Sequence, residues 1–185
     1  MRRDQLEHLI RAAGAILGEP EIIVIGSQSI LASIKEDHLP AEATRSVEAD
    51  LVPLDDPDED KSTLLDGTIG ELSPFHETFG VYGHGVGKRT ARLPAEWRTR
   101  LVALRNENTS GVTGLCLEPH DLVVAKLLAS RPHDIEFCRA LFHAGVVDPT
   151  VVAQRLAVTN MDDDERERMK RLLESIAKDS RTEQL

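Results

Sequence analysis

Two carboxylates stand one residue apart in VEADLVP, residues 47–53: Glu48 and Asp50. The stretch is predicted to be a strand that stops at Pro53. On a strand, residues i and i+2 point to the same face, with their Cα atoms about 7 Å apart. Like charges so placed repel unless a cation lies between them. Solvent ions, an arginine or a metal can fill that role. A hard divalent ion such as Mg²⁺ takes carboxylate oxygens and leaves positions open for phosphate.

A second stretch, VIGSQSI at 24–30, points toward phosphate. The apolar run Glu21 to Gly26 is predicted to be a buried central strand, and SQSILASIKED, residues 27–37, a helix that follows at once. Gly26 at the junction lets a ligand approach the backbone. Free N–H groups and the Ser27 hydroxyl favour an anion there. The plainer reading is a tight turn at Gly26 and an N-cap at Ser27. Neither GK[ST] nor GxGxxG is present, so this is no P-loop and no dinucleotide motif.

A third group lies in the last third of the chain. Lys126 sits among Val123, Val124, Ala125, Leu127 and Leu128. A lysine on so apolar a helix either snorkels outward or meets an anion. Asp134 follows Arg131-Pro132-His133 and either neighbours a site or charges the start of the next helix. His76 and His84 lack zinc-site spacing, and no cysteine is close. His76 is a minor catalytic candidate. Trp97, the only tryptophan, is expected to anchor the core or a subdomain.

The elements that must position these residues follow from periodicity. Leu6, Ile10, Ala13 and Ile16 predict a helix over 3–17, ended by Gly18-Glu19-Pro20. Residues 38–46 are predicted to be a loop. A helix carries Leu64, Leu65 and Ile69 after the acidic run 55–60, which is expected to be solvated. A hairpin is predicted from strands near 79–84 and 89–93. Strands at 101–105 and 112–118 follow, and then four helices to the end. The order predicts an α/β (α+β) core over 1–118 with a C-terminal helical subdomain over 119–185.

The net charge of −10 argues against a non-specific DNA binder or a polybasic membrane binder. A large RNA partner is disfavoured too, although Arg89, Arg92, Arg98 and Arg100 could form a local patch. Cys116 and Cys138 lie far apart and outside any CxxC pattern, which predicts buried, reduced thiols. The charged N-terminal helix is not a signal peptide, and no run approaches a membrane span, so a cytoplasmic location is expected.

The Gly-Ser turn followed by an acid-x-acid strand resembles the minimal nucleotidyltransferase pattern. Several stretches extend the resemblance: VIGSQSIL, SVEADLVP, DGTIGELSPFHETFGVYGHGV, TARLPAEWRTRLV and CLEPHDLVVAKLLASRPHDIEF. Over roughly residues 20–140 the chain resembles the DUF6036 nucleotidyltransferase-like family, related to the AbiEii-type toxins of toxin–antitoxin systems. The resemblance implies a mixed sheet flanked by helices. It implies Mg²⁺ on Glu48 and Asp50, and an NTP held by Gly26, Ser27, Lys126 and Arg131. It gives Asp50, Lys126 and Asp134 catalytic roles. A cognate antitoxin or other partner protein is the implied partner. Two departures stand out. Glu48 replaces the usual Asp, and the gap between Ser27 and Glu48 is long for the wider superfamily. A third metal acid is not evident, with Asp66, Glu77, Glu118 and Asp121 as candidates.

Overall fold

The computed structural model describes residues 1–87 and 89–182. Eight α-helices are described: α1 Arg3–Leu17, α2 Ala41–Thr44, α3 Asp60–Ile69, α4 Pro74–Phe79, α5 Pro119–Ala129, α6 Pro132–His143, α7 Pro149–Ala157 and α8 Asp163–Thr182. Five strands form one sheet: β1 Glu21–Ile25, β2 Glu48–Val52, β3 Tyr82–Gly85, β4 Val102–Leu104 and β5 Thr113–Cys116. Their spatial order is β3-β2-β1-β5-β4. β1 runs antiparallel to β2 and parallel to β5, β2 runs parallel to β3, and β4 runs antiparallel to β5. This is the expected mixed α/β fold.

Position in the sheet follows from composition. β1 is central, and four of its five residues are buried. β2 alternates instead. Ala49 and Leu51 are buried, while Glu48 and Asp50 are half-buried on the other face. That alternation is what a half-solvated strand requires. α1 covers the sheet with Leu6, Leu9, Ile10 and Ala13, and ends at Gly18 in the left-handed region. β3 is built so that α3 can approach closely. A Cβ on Gly85 would stand 1.9 Å from the Ser62 carbonyl oxygen.

A single apolar cluster runs from α1 through the sheet into α5, α6, α7 and α8, and includes Leu122, Leu127, Phe137, Leu141 and Ile176. The expected boundary after residue 118 thus coincides with the start of α5, while the core continues across it. Cys116 and Cys138 are free and buried, and burial pushes both thiols up to about 12. No helix among the described residues is long and apolar enough to cross a membrane.

Three local expectations need correction. The helix expected over 27–37 is a six-residue 3₁₀ segment, Ser27–Ala32, followed by a second short one at Glu36–His38. The Ser29 hydroxyl and N–H both bond back to the Gly26 carbonyl, which tightens the first turn. Second, β3 pairs in parallel with β2 rather than forming a hairpin. Phe79 belongs to α4, and 89–93 is not a strand. Lys88, within that expected turn, lies outside the described residues, as do residues 183–185 of the expected helical subdomain. Third, the loop predicted over 38–46 contains α2.

Candidate functional site

The first two strands meet where the sequence placed its chemistry. Ile25 is the register partner of Asp50, so the end of β1 delivers Gly26 beside that carboxylate. Gly26 has φ +73°, in the left-handed region that favours glycine. A Cβ there would stand 2.0 Å from Asp50 Oδ2. The glycine is therefore required twice, by its backbone angle and by the carboxylate seated against it.

We expect Gly26→Ala to lower stability by about 1–3 kcal/mol through backbone strain. It should also displace Asp50. Thermal denaturation checks the first effect. Adding Asp50→Ala should relieve the steric part, so the double variant should cost less than the sum of the singles.

Parallel pairing with β3 adds two side chains to this face. Tyr82 is the register partner of Glu48, and His84 that of Asp50. The Tyr82 hydroxyl donates to Glu48 Oε2 at 3.0 Å. His84 Nδ1 lies 3.0 Å from Glu48 Oε1 and 3.5 Å from Asp50 Oδ1. One ligand atom each from Glu48, Asp50 and His84 lies within 4.8 Å of the other two. Burial pushes the Asp50 carboxyl up to about 6, and the negative charge of Glu48 adds to the rise. Burial beside Glu48 raises the Tyr82 hydroxyl to about 12.

The cationic side comes from the helical part. α5 packs over the 3₁₀ segment and carries Lys126 to the cleft. Lys126 Nζ bonds Asp134 Oδ1 at 2.7 Å, and Arg131 Nε bonds Asp134 Oδ2 at 2.6 Å. Asp134 has no exposed side-chain surface, whereas Arg131 is 60% exposed. Burial alone would raise the Asp134 carboxyl, but the hydrogen bonds from Lys126 and Arg131 outweigh it and hold it below the usual range. The lysine expected either to snorkel or to meet an anion thus meets Asp134.

A cleft of ≈ 530 Å³ opens between the two sides, with Ser27, Glu48, Asp50, His84, Lys126 and Arg131 among its lining residues. An adjoining hollow of ≈ 190 Å³ shares Asp50, Lys126 and Arg131, and adds Gly26 with apolar Ile25, Leu122 and Leu128. Size and mixed lining suit a small charged organic ligand. Six of the seven expected site residues therefore border connected space. Asp134 instead lies buried behind Lys126. Since the segment after Gly26 is a short 3₁₀ helix, anion binding there has no helix dipole behind it. What remains is the backbone at Gly26–Ser27 and the Ser27 hydroxyl.

The other candidates go elsewhere. Glu118 caps α5 by accepting from the N–H groups of His120 and Asp121. Asp121 is buried against Arg100 at 2.8 Å. Asp66 and Glu77 are exposed on α3 and α4. His76 Nδ1 accepts from the Leu72 N–H and closes a turn. The arginine patch is dispersed: Arg92 pairs with Glu165, Arg100 with Asp121, and Arg98 lies over Trp97. Trp97 is half-buried against the core.

His84 and Tyr82 are the residues that sequence reasoning missed. Their i, i+2 spacing mirrors that of Glu48 and Asp50, and a parallel pairing of the two strands would have shown it. The expected hairpin assigned β3 to a different neighbour.

Two carboxylates and an imidazole on one face, with a lysine and an arginine across a cleft, are donors fit for a divalent cation and a polyanion. The half-buried Asp50, seated against a glycine that has no room for a Cβ, supports the fit of a metal ion. No curated protein and no solved structure shows a significant match to the chain. One family model does match, over residues 4–181, and by that match the chain belongs to the family described as nucleotidyltransferase of unknown function (DUF6036).

Proposed function

We propose that the protein binds an NTP and transfers its nucleoside monophosphate to an acceptor hydroxyl. The observation that carries this reading is the convergence of Glu48 and Asp50 opposite Lys126 in one cleft. Gly26, Ser27, Lys126 and Arg131 hold the triphosphate, and Glu48 and Asp50 hold the divalent ion, Mg²⁺ in the first instance. When bound, that ion supplies positive charge between the carboxylates and the phosphate oxygens. Without a cation the two carboxylates would repel the nucleotide. The acceptor oxygen attacks the α-phosphorus and gives up its proton to solvent, the bond to the β-phosphate bridging oxygen breaks, and pyrophosphate leaves with that electron pair. Asp134 acts by holding Lys126 and Arg131 in place.

A second reading is a module of the same fold that binds a nucleotide or a partner protein without turnover, as one half of a toxin–antitoxin pair. Glu48 in place of Asp and the lack of a third clustered carboxylate among the described residues favour it. The acidic net charge and the dispersed arginines favour a small molecule or a protein side chain over an RNA end as acceptor.

Calorimetric titration with each of the four NTPs, with and without Mg²⁺, tests the proposal. Mg²⁺-dependent binding that weakens at least about tenfold in Asp50→Ala supports it. Metal-dependent binding that survives Asp50→Ala removes the site assignment. Absence of binding to every NTP removes the proposal and favours the partner-binding form of the second reading.

A further inference from the structure

We propose that His84 is a third ligand of the metal site and that it shifts the preference of that site from Mg²⁺ to Mn²⁺. The inference rests on the reading of Glu48 and Asp50 as metal ligands and goes beyond it in naming both a ligand and an ion.

β2 and β3 run parallel, with Glu48 opposite Tyr82 and Asp50 opposite His84. Both pairs have i, i+2 spacing, so all four side chains rise from one sheet face. His84 presents Nδ1 to both carboxylates, at 3.0 and 3.5 Å. Donors bound at about 2.0–2.2 Å from one ion stand at most roughly 4.4 Å apart. The three donor atoms already lie within 4.8 Å of one another, so adjustments of a few tenths of an ångström would form a shared shell.

Tyr82 donates to Glu48 Oε2 and leaves Oε1 turned toward His84. Hydrogen bonds of this kind aim a metal ligand. Asp50 is fixed from the other side by Gly26. The carboxylates that could have completed an all-oxygen site are occupied elsewhere, Glu118 as a helix cap and Asp121 on Arg100.

Mg²⁺ is a hard ion that strongly favours oxygen and stays partly hydrated. Imidazole nitrogen suits first-row transition ions, whereas carboxylate, carbonyl and water suit Mg²⁺ and Mn²⁺ alike. Of these two ions, the nitrogen of His84 therefore favours Mn²⁺. The competing account is that His84 only hydrogen-bonds Glu48 and ties β3 to β2.

The test titrates the purified, chelator-treated chain with Mn²⁺ alone and with Mg²⁺ alone. Free Mn²⁺ is followed by electron paramagnetic resonance and Mg²⁺ by calorimetry. The expected result is Mn²⁺ binding at least about tenfold tighter than Mg²⁺. His84→Ala should weaken Mn²⁺ by about tenfold or more and Mg²⁺ by much less, so that the ratio collapses. In pulsed spectra, a ¹⁴N coupling to bound Mn²⁺ should vanish in the same variant. His84→Asp, an all-oxygen donor set, should raise Mg²⁺ affinity. If His84→Ala leaves the Mn²⁺ to Mg²⁺ ratio unchanged while Asp50→Asn abolishes binding of both ions, the metal reading stands and the role of His84 falls. If wild type binds neither ion, alone or with ATP, both fall.

Discussion

Asp50→Asn is expected to make the metal-free protein more stable at pH 8 while removing metal-dependent nucleotide binding. Burial and the adjacent Glu48 charge raise the Asp50 carboxyl to about 6 from an ordinary value of 3.8. Because the folded-state value is raised, the stability contributed by the bound proton is fully present below about pH 4. It is lost as pH rises through about 6. Above that, the ionised carboxylate costs on the order of 2–3 kcal/mol. An amide carries no charge and recovers part of this, roughly 1–2 kcal/mol, since favourable interactions with His84 and Lys126 are lost with the charge. For a chain of this size the gain is roughly 3–6 °C in Tm. Thermal denaturation in chelator across this range checks it: the gain should be full at pH 8, roughly halved at pH 5 and nearly absent only below about pH 4. A loss of stability at pH 8 would show that Asp50 is held by favourable contacts rather than strained by burial. The same linkage makes metal affinity of the wild type rise with pH through about 6, as the ligand must lose its proton.

The largest loss of stability is expected from Asp134→Ala. The substitution leaves Lys126, whose side chain is 11% exposed, beside an emptied position with no anion. Removing one partner of a buried ion pair costs about 3–5 kcal/mol. Here the expected value is about 2–4 kcal/mol, because exposed Arg131 can turn into solvent. Arg131→Ala should cost under about 1 kcal/mol for the same reason. Urea denaturation at pH 7 measures both. The sign with pH is opposite to that of Asp50. The Asp134 carboxyl is held low, so its contribution is present above about pH 4 and lost as pH falls through the folded-state value. The double variant Lys126→Ala with Asp134→Ala should be more stable than Asp134→Ala alone, since no ammonium is left unpaired. If the double variant is no better, the network is not what makes Asp134 costly to remove.

Much of this was legible from local chemistry. The apolar run at β1, the acid pair on β2, the first helix and the apolar environment of Lys126 each have a local cause that one stretch of chain displays. The proximity of Gly26 to Asp50 followed from placing two consecutive strands side by side. What failed was not displayed by local composition. The segment after Gly26 has helical composition, yet Ser29 bonds back to Gly26 and shortens it into a 3₁₀ turn. β3 is four residues with two glycines, too little pattern to reveal its partner. Its parallel pairing with β2 is what brings His84 to the carboxylates, and a missed pairing meant a missed residue. Asp134 was legible as a neighbour of a site or a charge at a helix start, but its pairing with Lys126 and its complete burial were not, because they come from the tertiary packing of α5 and α6.

The sheet order bears on when during synthesis this protein can become a ligand-binding object. β1 lies at the centre, and one of its flanks is filled by β5, so Glu21 has no partner on that side until Thr113 exists. Lys126 and Asp134 follow later still. A nascent chain that has emerged only as far as β3 already carries both acids and His84, but neither the lysine nor the completed central sheet. Such long-range pairing favours slow, late closure. Until α5 docks, the acid face stands without its cation. On the proposed assignment, the nascent chain would hold its metal ligands before its phosphate ligands, and competence for the nucleotide would arrive with the docking of α5.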